Sequence, residues 1–330
     1  MRIIMLGGTG FVGSRVVKLL VVGDHEVTIV HRRVESRPDP AVRHIHVDFA
    51  DLAGSVGSLG HADVVIDMVP HEPKAGGHGL PLFVGRADRG VLVSSGDVYR
   101  AFARLWGTEP GDPDPVPLAE DAPLRSSFAP DIAATGDRAL DNLDAERVSV
   151  QAPSFPVSIL RLPAVHGPRD PQHRIRPYVQ RMRDGRPAIF LDDRRARWRW
   201  SRGYVDDVAA AIVLGTTDDR AVGRIYNVGS EPALSEAEWV AAIADAAGWE
   251  GQVVTVRHEL APEDARFDMD ARQHMVMDSG RIRSELGYAE SFPLLDGLRA
   301  TVEWELSLPD EREQDYRPED LLAERLGIPR

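Results

Sequence analysis

A glycine-rich turn near the start of the chain limits what this sequence can fold into. The heptapeptide GGTGFVG at 7–13 follows the apolar run Arg2–Leu6 and opens Phe11–Val22, whose apolar residues recur at helical spacing. In this setting glycines allow a tight turn and let the backbone approach a pyrophosphate, which a helix N-terminus attracts. We therefore predict a dinucleotide site; a turn without a ligand is the alternative. The expected contacts are Gly7, Thr9, Gly10, Phe11, Val12 and Gly13.

Short apolar runs alternate with helical stretches through the first half of the chain. This alternation is typical of βαβ units, and right-handed crossovers between them produce a buried parallel sheet. The predicted fold is α/β, a Rossmann-type doubly wound parallel sheet with a smaller C-terminal α/β substrate lobe. The further strands are expected at Glu26–Val30, His44–Val47, Asp63–Asp67, Gly90–Ser94 and Pro156–Leu162.

The second half predicts a mixed lobe. We expect a dinucleotide-binding domain over 1–165, an intertwined substrate lobe over 166–305, and a charged, peripheral tail over 306–330. One more strand is expected at Arg224–Val228, and Ser235 and Glu238 have the spacing of a capping box. The expected helices are Arg176–Asp184, Val205–Thr216, Ser235–Ala247, a short helix from a Ser279 cap to Leu286, and Leu294–Glu305.

Composition excludes several classes of partner and site. The chain has 330 residues, a net charge of −13 and no cysteine. An acidic surface repels nucleic acid, and the lack of cysteine excludes disulfides and thiolate metal sites. There is no signal-peptide pattern and no apolar run long enough to span a membrane. We therefore expect a cytoplasmic protein with a small-molecule partner and no nucleic-acid or membrane partner.

The end of the second predicted strand indicates which dinucleotide binds. NAD sites place an acid there for the ribose 2′-hydroxyl, whereas this sequence has His31, Arg32 and Arg33. Guanidinium groups match a 2′-phosphate, which favours NADP. NAD stays open because Glu35 follows closely, and the arginines as solvated surface charges are the alternative.

Several ordered motifs carry a family resemblance: VDFADL at 47–52, VLVSSGDVY at 91–99, LRLPAVHGP at 160–168, GYVDDVAAAI at 203–212 and IYNVG at 225–229. With the glycine turn, they make residues 1–305 resemble the extended short-chain dehydrogenase/reductase family, also called the NAD-dependent epimerase/dehydratase family. The resemblance implies that Asp48, beside Phe49, holds the adenine amino group and that Met68 and Val69 line the ribose. It also implies a catalytic Ser95, with Ser94 and Pro163 near the cofactor.

The sequence departs from this family at its acid–base pair. The family uses Tyr-x-x-x-Lys on the helix after the SSxxVY segment, but Asp131–Arg147 contains neither tyrosine nor lysine. The Tyr position holds Ala133 or Ala134, and the Lys position Asp137 or Arg138. Another group would have to move the proton. The candidates are Asp131, Tyr99 and His166; the alternatives are a helix cap, a structural tyrosine and a packed loop histidine.

Three functions remain open. The first is an atypical NADP-dependent reductase or epimerase-like enzyme acting on a small polar or anionic metabolite. The second is a redox-silent isomerase, cyclase or lyase on the same scaffold, and the third a non-catalytic NADP-binding regulator. The resemblance also allows a homodimer through the helix that normally carries Tyr and Lys.

Arginines in the second half suit an anionic substrate. The resemblance implies that Asp192–Arg202 is a strand that lines the substrate pocket. Alternation along such a strand would place Arg197 and Arg199 on the face opposite to Trp198 and Trp200. Arg174 and Arg199 are the predicted substrate contacts, and solvated surface arginines are the alternative. His44 and His46 could face one side of a strand, but no third ligand is apparent, so no metal is expected.

Overall fold

The computed structural model describes residues 1–32, 41–69, 79–126, 141–309 and 314–328. Within these residues, strands and helices alternate along the first half as the apolar periodicity predicts. The strands are β1 (Arg2–Leu6), β2 (Glu26–His31), β3 (Arg43–His46), β4 (Ala62–Asp67), β5 (Ala87–Ser95), β6 (Val157–Leu162), β7 (Ala164–His166), β8 (Ala188–Asp192), β9 (Arg202–Tyr204), β10 (Ile225–Asn227) and β11 (Gln252–Val256).

The helices flank these strands. Short 3₁₀ turns, such as Phe49–Asp51, occupy several of the connections. The α-helices are α1 (Gly13–Val22), α2 (Leu52–Ser55), α3 (Arg100–Leu105), α4 (Asn142–Ser149), α5 (Arg176–Arg183), α6 (Asp193–Arg197), α7 (Val205–Thr217), α8 (Glu236–Ala247), α9 (Gly280–Leu286), α10 (Leu294–Ser307) and α11 (Arg317–Leu326).

Seven strands form one parallel sheet in the order β10-β6-β5-β4-β1-β2-β3. The order β3-β2-β1-β4-β5-β6 is that of a Rossmann fold, so the predicted fold class is confirmed. The cofactor edge of such a sheet lies at the carboxyl ends of the strands, beside β1. β10 belongs to the second half of the chain and pairs with β6, so both halves of the chain contribute strands to this sheet.

The sheet is buried on both faces, as an all-parallel sheet must be. Ile3 and Met5 on β1 belong to a core cluster that includes residues of α1 and α7. Ile4 and Leu6, which alternate with them, belong to the cluster on the opposite face. The central strands therefore contain continuous apolar runs rather than an alternating pattern.

The second lobe has its own core, formed by α5, α8 and α10. Beside it, β8 and β11 pair in parallel. The tail is not peripheral as predicted, because Leu322 and Ala323 of α11 are buried against Ala188 and Phe190. Burial of these side chains outweighs the charge of the segment, whose Glu319 and Asp320 pair with arginines of the lobe.

Two local predictions differ from the structure, and a third is only partly described. The expected strand Asp192–Arg202 is wrong: the Asp192 side chain accepts a hydrogen bond from the Arg194 backbone N–H and starts helix α6. Ser279 stands at the N-cap of α9, but its hydroxyl donates to Glu231 instead of capping. The helix expected over Asp131–Arg147 overlaps α4, which covers Asn142–Ser149. Residues 127–140 lie outside the described ranges.

Candidate functional site

The glycine turn after β1 has the backbone geometry that a cofactor cradle needs. Gly7 and Gly8 have φ angles of 88° and 113°, a region that residues with a Cβ rarely adopt. A Cβ on Gly13 would lie 2.7 Å from the Gly8 Cα, so the first turn of α1 packs directly on the turn. Only glycine permits this approach, as predicted from the sequence.

The start of α1 is open to an anion. Val12 occupies the N-cap position, and its apolar side chain makes no capping hydrogen bond. The Ser14 and Arg15 N–H groups donate to the Gly10 and Val12 carbonyls, so an anion would meet the N–H groups of the turn before Ser14. This turn lines a cleft of about 370 Å³, called here the glycine cleft. The cleft is lined by Gly7, Gly8, Thr9, Gly10, Phe11, Val12, Gly13, His31, Arg32, Phe49, Met68, Val69, Val93 and Leu162.

The glycine cleft brings together most of the residues predicted to hold the cofactor, and adds Gly8, Val93 and Leu162. Asp48, Ser94 and Pro163 are not among the residues that line it. The Asp48 Oδ1 accepts a hydrogen bond of 2.9 Å from the Ala50 N–H and caps a 3₁₀ turn. The buried Ser94 hydroxyl donates to the Glu146 carboxylate at 2.6 Å. Contacts of Asp48, Ser94 and Pro163 with the cofactor therefore stay predictions.

The carboxyl end of β2 carries the residues predicted to select NADP. His31 ends the strand and is buried, while Arg32 follows it at the surface. The His31 Nε2 lies 3.0 Å from the His44 Nδ1 on β3, and the rings of His31 and His46 are 4.5 Å apart. Arg33 lies outside the described residues.

A second cavity of about 340 Å³, called here the arginine-lined cavity, lies between α3 and the second lobe. Four arginines and two acids line it, so its charge suits an anionic ligand. Aromatic rings supply flat apolar walls. The lining includes the charged residues Arg174, Arg195, Arg202, Glu236, Arg266 and Asp268, and the aromatic residues Phe102, Trp106, Trp198, Trp200, Trp239 and Phe267.

Glu236, in the first turn of α8, organises this cavity. Its buried carboxylate accepts hydrogen bonds from the Tyr178 hydroxyl and from Arg195 and Arg202. Burial raises the pKa of Glu236, but the charges of Arg202 and Arg195 outweigh burial and lower it overall. The carboxylate therefore stays ionised and holds both guanidinium groups at the cavity wall.

His166 lies at the end of β7 and lines the arginine-lined cavity. It is 4% exposed, its ring centroid is 4.9 Å from that of Trp239, and its Nδ1 has no hydrogen-bond partner in the described part of the chain. Burial, with the charges of Arg202 and Arg174, lowers the pKa of His166 to about 3. The ring is therefore neutral at pH 7, with one N–H to donate and one nitrogen to accept a hydrogen bond.

The other predicted catalytic residues lie in different surroundings. Ser95 ends β5 and its hydroxyl accepts from the Asp97 N–H at 3.3 Å, which caps a 3₁₀ turn. Tyr99 is fully buried, and its hydroxyl donates to the Asn227 Oδ1 at 2.6 Å and accepts from Arg161 at 3.0 Å. These contacts support the structural interpretation of Tyr99. Asp131 lies outside the described residues.

The structure leads to a prediction for Tyr99. Burial raises its pKa, so the hydroxyl stays protonated, and Tyr99→Phe leaves the Asn227 oxygen without its donor. We expect the free energy of unfolding to fall by about 1–3 kcal/mol, with cofactor affinity unchanged. Urea unfolding and cofactor titration of the same preparation measure both, and a loss of affinity at unchanged stability would contradict the structural role.

The two predicted substrate arginines separate in the structure. Arg174 lines the arginine-lined cavity, pairs with Asp170 at 2.7 Å and donates to the Val165 carbonyl. Arg199 is not among the residues that line that cavity. Its half-exposed guanidinium donates to the Ala233 carbonyl and lies 3.5 Å from Glu238.

Sequence reasoning missed Glu236 and Trp239, and it included Arg202 only as the end of the stretch Asp192–Arg202, without its partner. They come from β9 and α8, and nothing in local spacing joins them. An acid in the first turn of a helix is common without any ligand role, because the helix dipole favours it. The pairing of Arg202 with Glu236 depends on the tertiary fold.

Two absences concern the described residues only. No group of three or more histidine, cysteine, aspartate or glutamate side chains there is arranged to hold a metal ion. No helix there has the length and apolar character to cross a bilayer.

Comparison with known proteins identifies the family. A dTDP-glucose 4,6-dehydratase of Streptomyces griseus is 27% identical over 335 residues, covering 92% of this chain and 93% of that protein. A 2′-dehydrokanamycin reductase of Streptomyces kanamyceticus is 27% identical over 294 residues, covering 85% and 77%.

The fold is shared with solved structures. A UDP-glucuronic acid 4-epimerase from Bacillus cereus, in complex with UDP-glucuronic acid and NAD, superimposes with a TM-score of 0.63 at 18% identity, covering 93% of this chain and 99% of that one. A sequence model of the NAD-dependent epimerase/dehydratase family matches residues 3–75 and 141–229, which include the glycine turn, β6 and β10. The chain is thus a member of the NAD-dependent epimerase/dehydratase family, whose characterised relatives are enzymes.

Proposed function

We propose that this protein binds NADP in the glycine cleft and uses it to act on an anionic sugar, most simply a nucleotide-linked one, in the arginine-lined cavity. One observation carries the proposal. Leu162 at the end of β6 lines the glycine cleft, and Ala164, two residues later, lines the arginine-lined cavity. The two cavities therefore share the β6–β7 segment as a wall.

The residues of the glycine cleft fit a dinucleotide. The Gly7–Gly8 turn and the uncapped start of α1 suit the pyrophosphate, and Arg32 suits a 2′-phosphate. A bound nicotinamide supplies hydride transfer to or from carbon. Arg15 ties α1 to the second lobe by donating to the Pro168 carbonyl at 2.8 Å, which keeps the two walls together.

The arginine-lined cavity fits a substrate that carries negative charge and a sugar. Arg266, together with Arg174 and Arg202, whose charges Asp170 and Glu236 partly balance, can donate hydrogen bonds to phosphate or carboxylate groups. Tryptophan rings favour the apolar faces of sugars. Relatives named for dTDP-glucose and UDP-glucuronic acid support the same class. His166, as a neutral ring, would hold a substrate oxygen by a hydrogen bond, and Ser95 and Asp131 remain proposed proton partners.

The test uses NADPH and NADP⁺ with a panel of nucleotide sugars and free sugar phosphates. Substrate-dependent change in absorbance at 340 nm supports net redox turnover, and mass spectrometry identifies the product. The absence of Tyr-x-x-x-Lys from Asp131–Arg147 favours a redox-silent isomerisation or elimination as the second candidate. That candidate gives product without an absorbance change and without deuterium transfer from labelled NADPH. Binding without any product would leave the cofactor-binding regulator.

The cofactor preference is tested by Arg32→Ser. We expect the Kd of NADP to rise about tenfold or more, because a charge-assisted hydrogen bond to the 2′-phosphate contributes roughly 1.5–3 kcal/mol. The Kd of NAD should stay within about twofold of the wild type. Arg43→Ser removes the same charge at the amino end of β3 and serves as the control. Equal weakening of NAD and NADP would contradict a 2′-phosphate role for Arg32.

A further inference from the structure

We propose that the His31–His44 pair is a proton-linked part of the NADP site, so that binding of NADP, but not of NAD, takes up a proton. The inference rests on the proposed NADP binding and assigns a ligand role to histidines of β2 and β3. It concerns the 2′-phosphate, the single group by which the two cofactors differ.

The geometry places the pair at the predicted 2′-phosphate position. His31 is the last residue of β2, is 3% exposed, and lines the glycine cleft beside Arg32. Where β2 pairs with β3, His31 lies opposite His46, and Ile29 lies opposite His44. Side chains two residues apart on a strand point to the same face, so the three imidazoles share one face of the sheet. The carboxyl end of this strand is where a Rossmann fold meets the adenosine ribose.

Hydrogen bonding limits how many protons the pair can hold. The His31 Nε2 and the His44 Nδ1 are 3.0 Å apart, so one hydrogen lies between them. When both rings are neutral, one of the two outer nitrogens carries a hydrogen and the other is bare. One added proton protonates the bare outer nitrogen, and the pair then carries a single positive charge. A second proton would break the bond between the rings.

The other charged groups around the pair are the same for either cofactor. Among the described residues, Arg32 follows β2, Arg43 and His46 lie on β3, and Asp48 follows β3. The glycine turn, which lines the same cleft as His31, carries no charged side chain. A dianionic 2′-phosphate therefore provides the difference in charge that favours the protonated pair.

Isothermal titration of the full chain with NADP⁺ and NAD⁺ tests the proposal. Measurements in buffers of different ionisation enthalpy give the number of protons taken up. We expect about 0.5–1 proton per NADP⁺ at pH 7 and none with NAD⁺. The range from pH 7 to 8.5 is used because the phosphate, with a pKa of about 6, is already dianionic there. Across this range the Kd of NADP⁺ should rise roughly tenfold while that of NAD⁺ stays constant.

Two variants separate the pair from other histidines. In the double variant His31→Gln/His44→Gln neither side chain can carry the charge, so proton uptake should be abolished and the pH dependence of NADP⁺ binding should flatten. His61→Gln removes a surface histidine near Asp88 and should behave as the wild type. Retained NAD⁺ binding shows that each variant is folded. Binding of NADP⁺ without proton uptake, or an unchanged slope in the double variant His31→Gln/His44→Gln, would overturn this inference alone, whereas no binding of NADP⁺ at any pH would overturn the proposed function with it.

Discussion

Gly13→Ala is expected to weaken NADP and NAD binding alike by at least about a hundredfold, which corresponds to ~2.7 kcal/mol of binding free energy. The added Cβ would lie 2.7 Å from the Gly8 Cα and 3.0 Å from its carbonyl carbon. Both neighbours are backbone atoms, so no side chain can move aside. The start of α1 must then shift away from the Gly7–Gly8 turn, and the N–H groups that would face the pyrophosphate shift with it.

Gly10→Ala is the matched control for this prediction. A Cβ at Gly10 meets nothing within 4 Å, and its backbone is outside the left-handed region. The variant should therefore unfold at the same denaturant concentration as the wild type. If Gly10→Ala loses affinity at unchanged stability, the added methyl group must meet the ligand itself, because Gly10 lines the cleft. Titration of both variants checks the argument, and wild-type affinity in Gly13→Ala would refute the role assigned to the turn.

Local signals in the sequence predict the sheet and the cofactor turn well. Each central strand is a short apolar run, and the glycine turn immediately follows one of them, so neither depends on distant residues. The capping box of Ser235 and Glu238 is also present as predicted, because both of its hydrogen bonds lie within one turn.

The substrate side could not be predicted in the same way. The arginine-lined cavity joins Arg174 from the loop before α5, Arg202 from β9 and Glu236 from α8, and the Arg202–Glu236 pair forms only when β9 meets α8. The Arg-Trp stretch after Asp192 alternates like a strand, yet the Asp192 cap makes its first part helical. Burial of the tail cannot be predicted from its own residues, because their charge suggests solvent exposure, whereas the apolar surface that buries Leu322 comes from β8.

Arg161→Met is expected to lower the free energy of unfolding by about 3–5 kcal/mol, because it leaves one buried charge without its partner. Arg161 on β6 donates to both carboxylate oxygens of Glu146, at 3.0 and 2.7 Å, and to the Glu120 carbonyl. Burial acts to lower the pKa of Arg161, but the hydrogen bonds and charge of Glu146 outweigh it and raise the pKa overall. The pair is therefore ionised in the folded protein.

Removing both charges should reverse most of this loss. In the double variant Arg161→Met/Glu146→Met no unpaired charge remains, and two apolar side chains of similar length fill the space, so we expect its stability to lie within about 2 kcal/mol of the wild type. Arg147→Met, next to Glu146 on α4, breaks an exposed ion pair with Asp144 at 3.4 Å. This change should lower the free energy of unfolding by less than about 0.5 kcal/mol. Urea unfolding of the four proteins measures these differences. A double variant less stable than Arg161→Met would mean that the hydrogen bonds Glu146 makes, including the one from Ser94, matter more to folding than the balance of charge between β6 and α4.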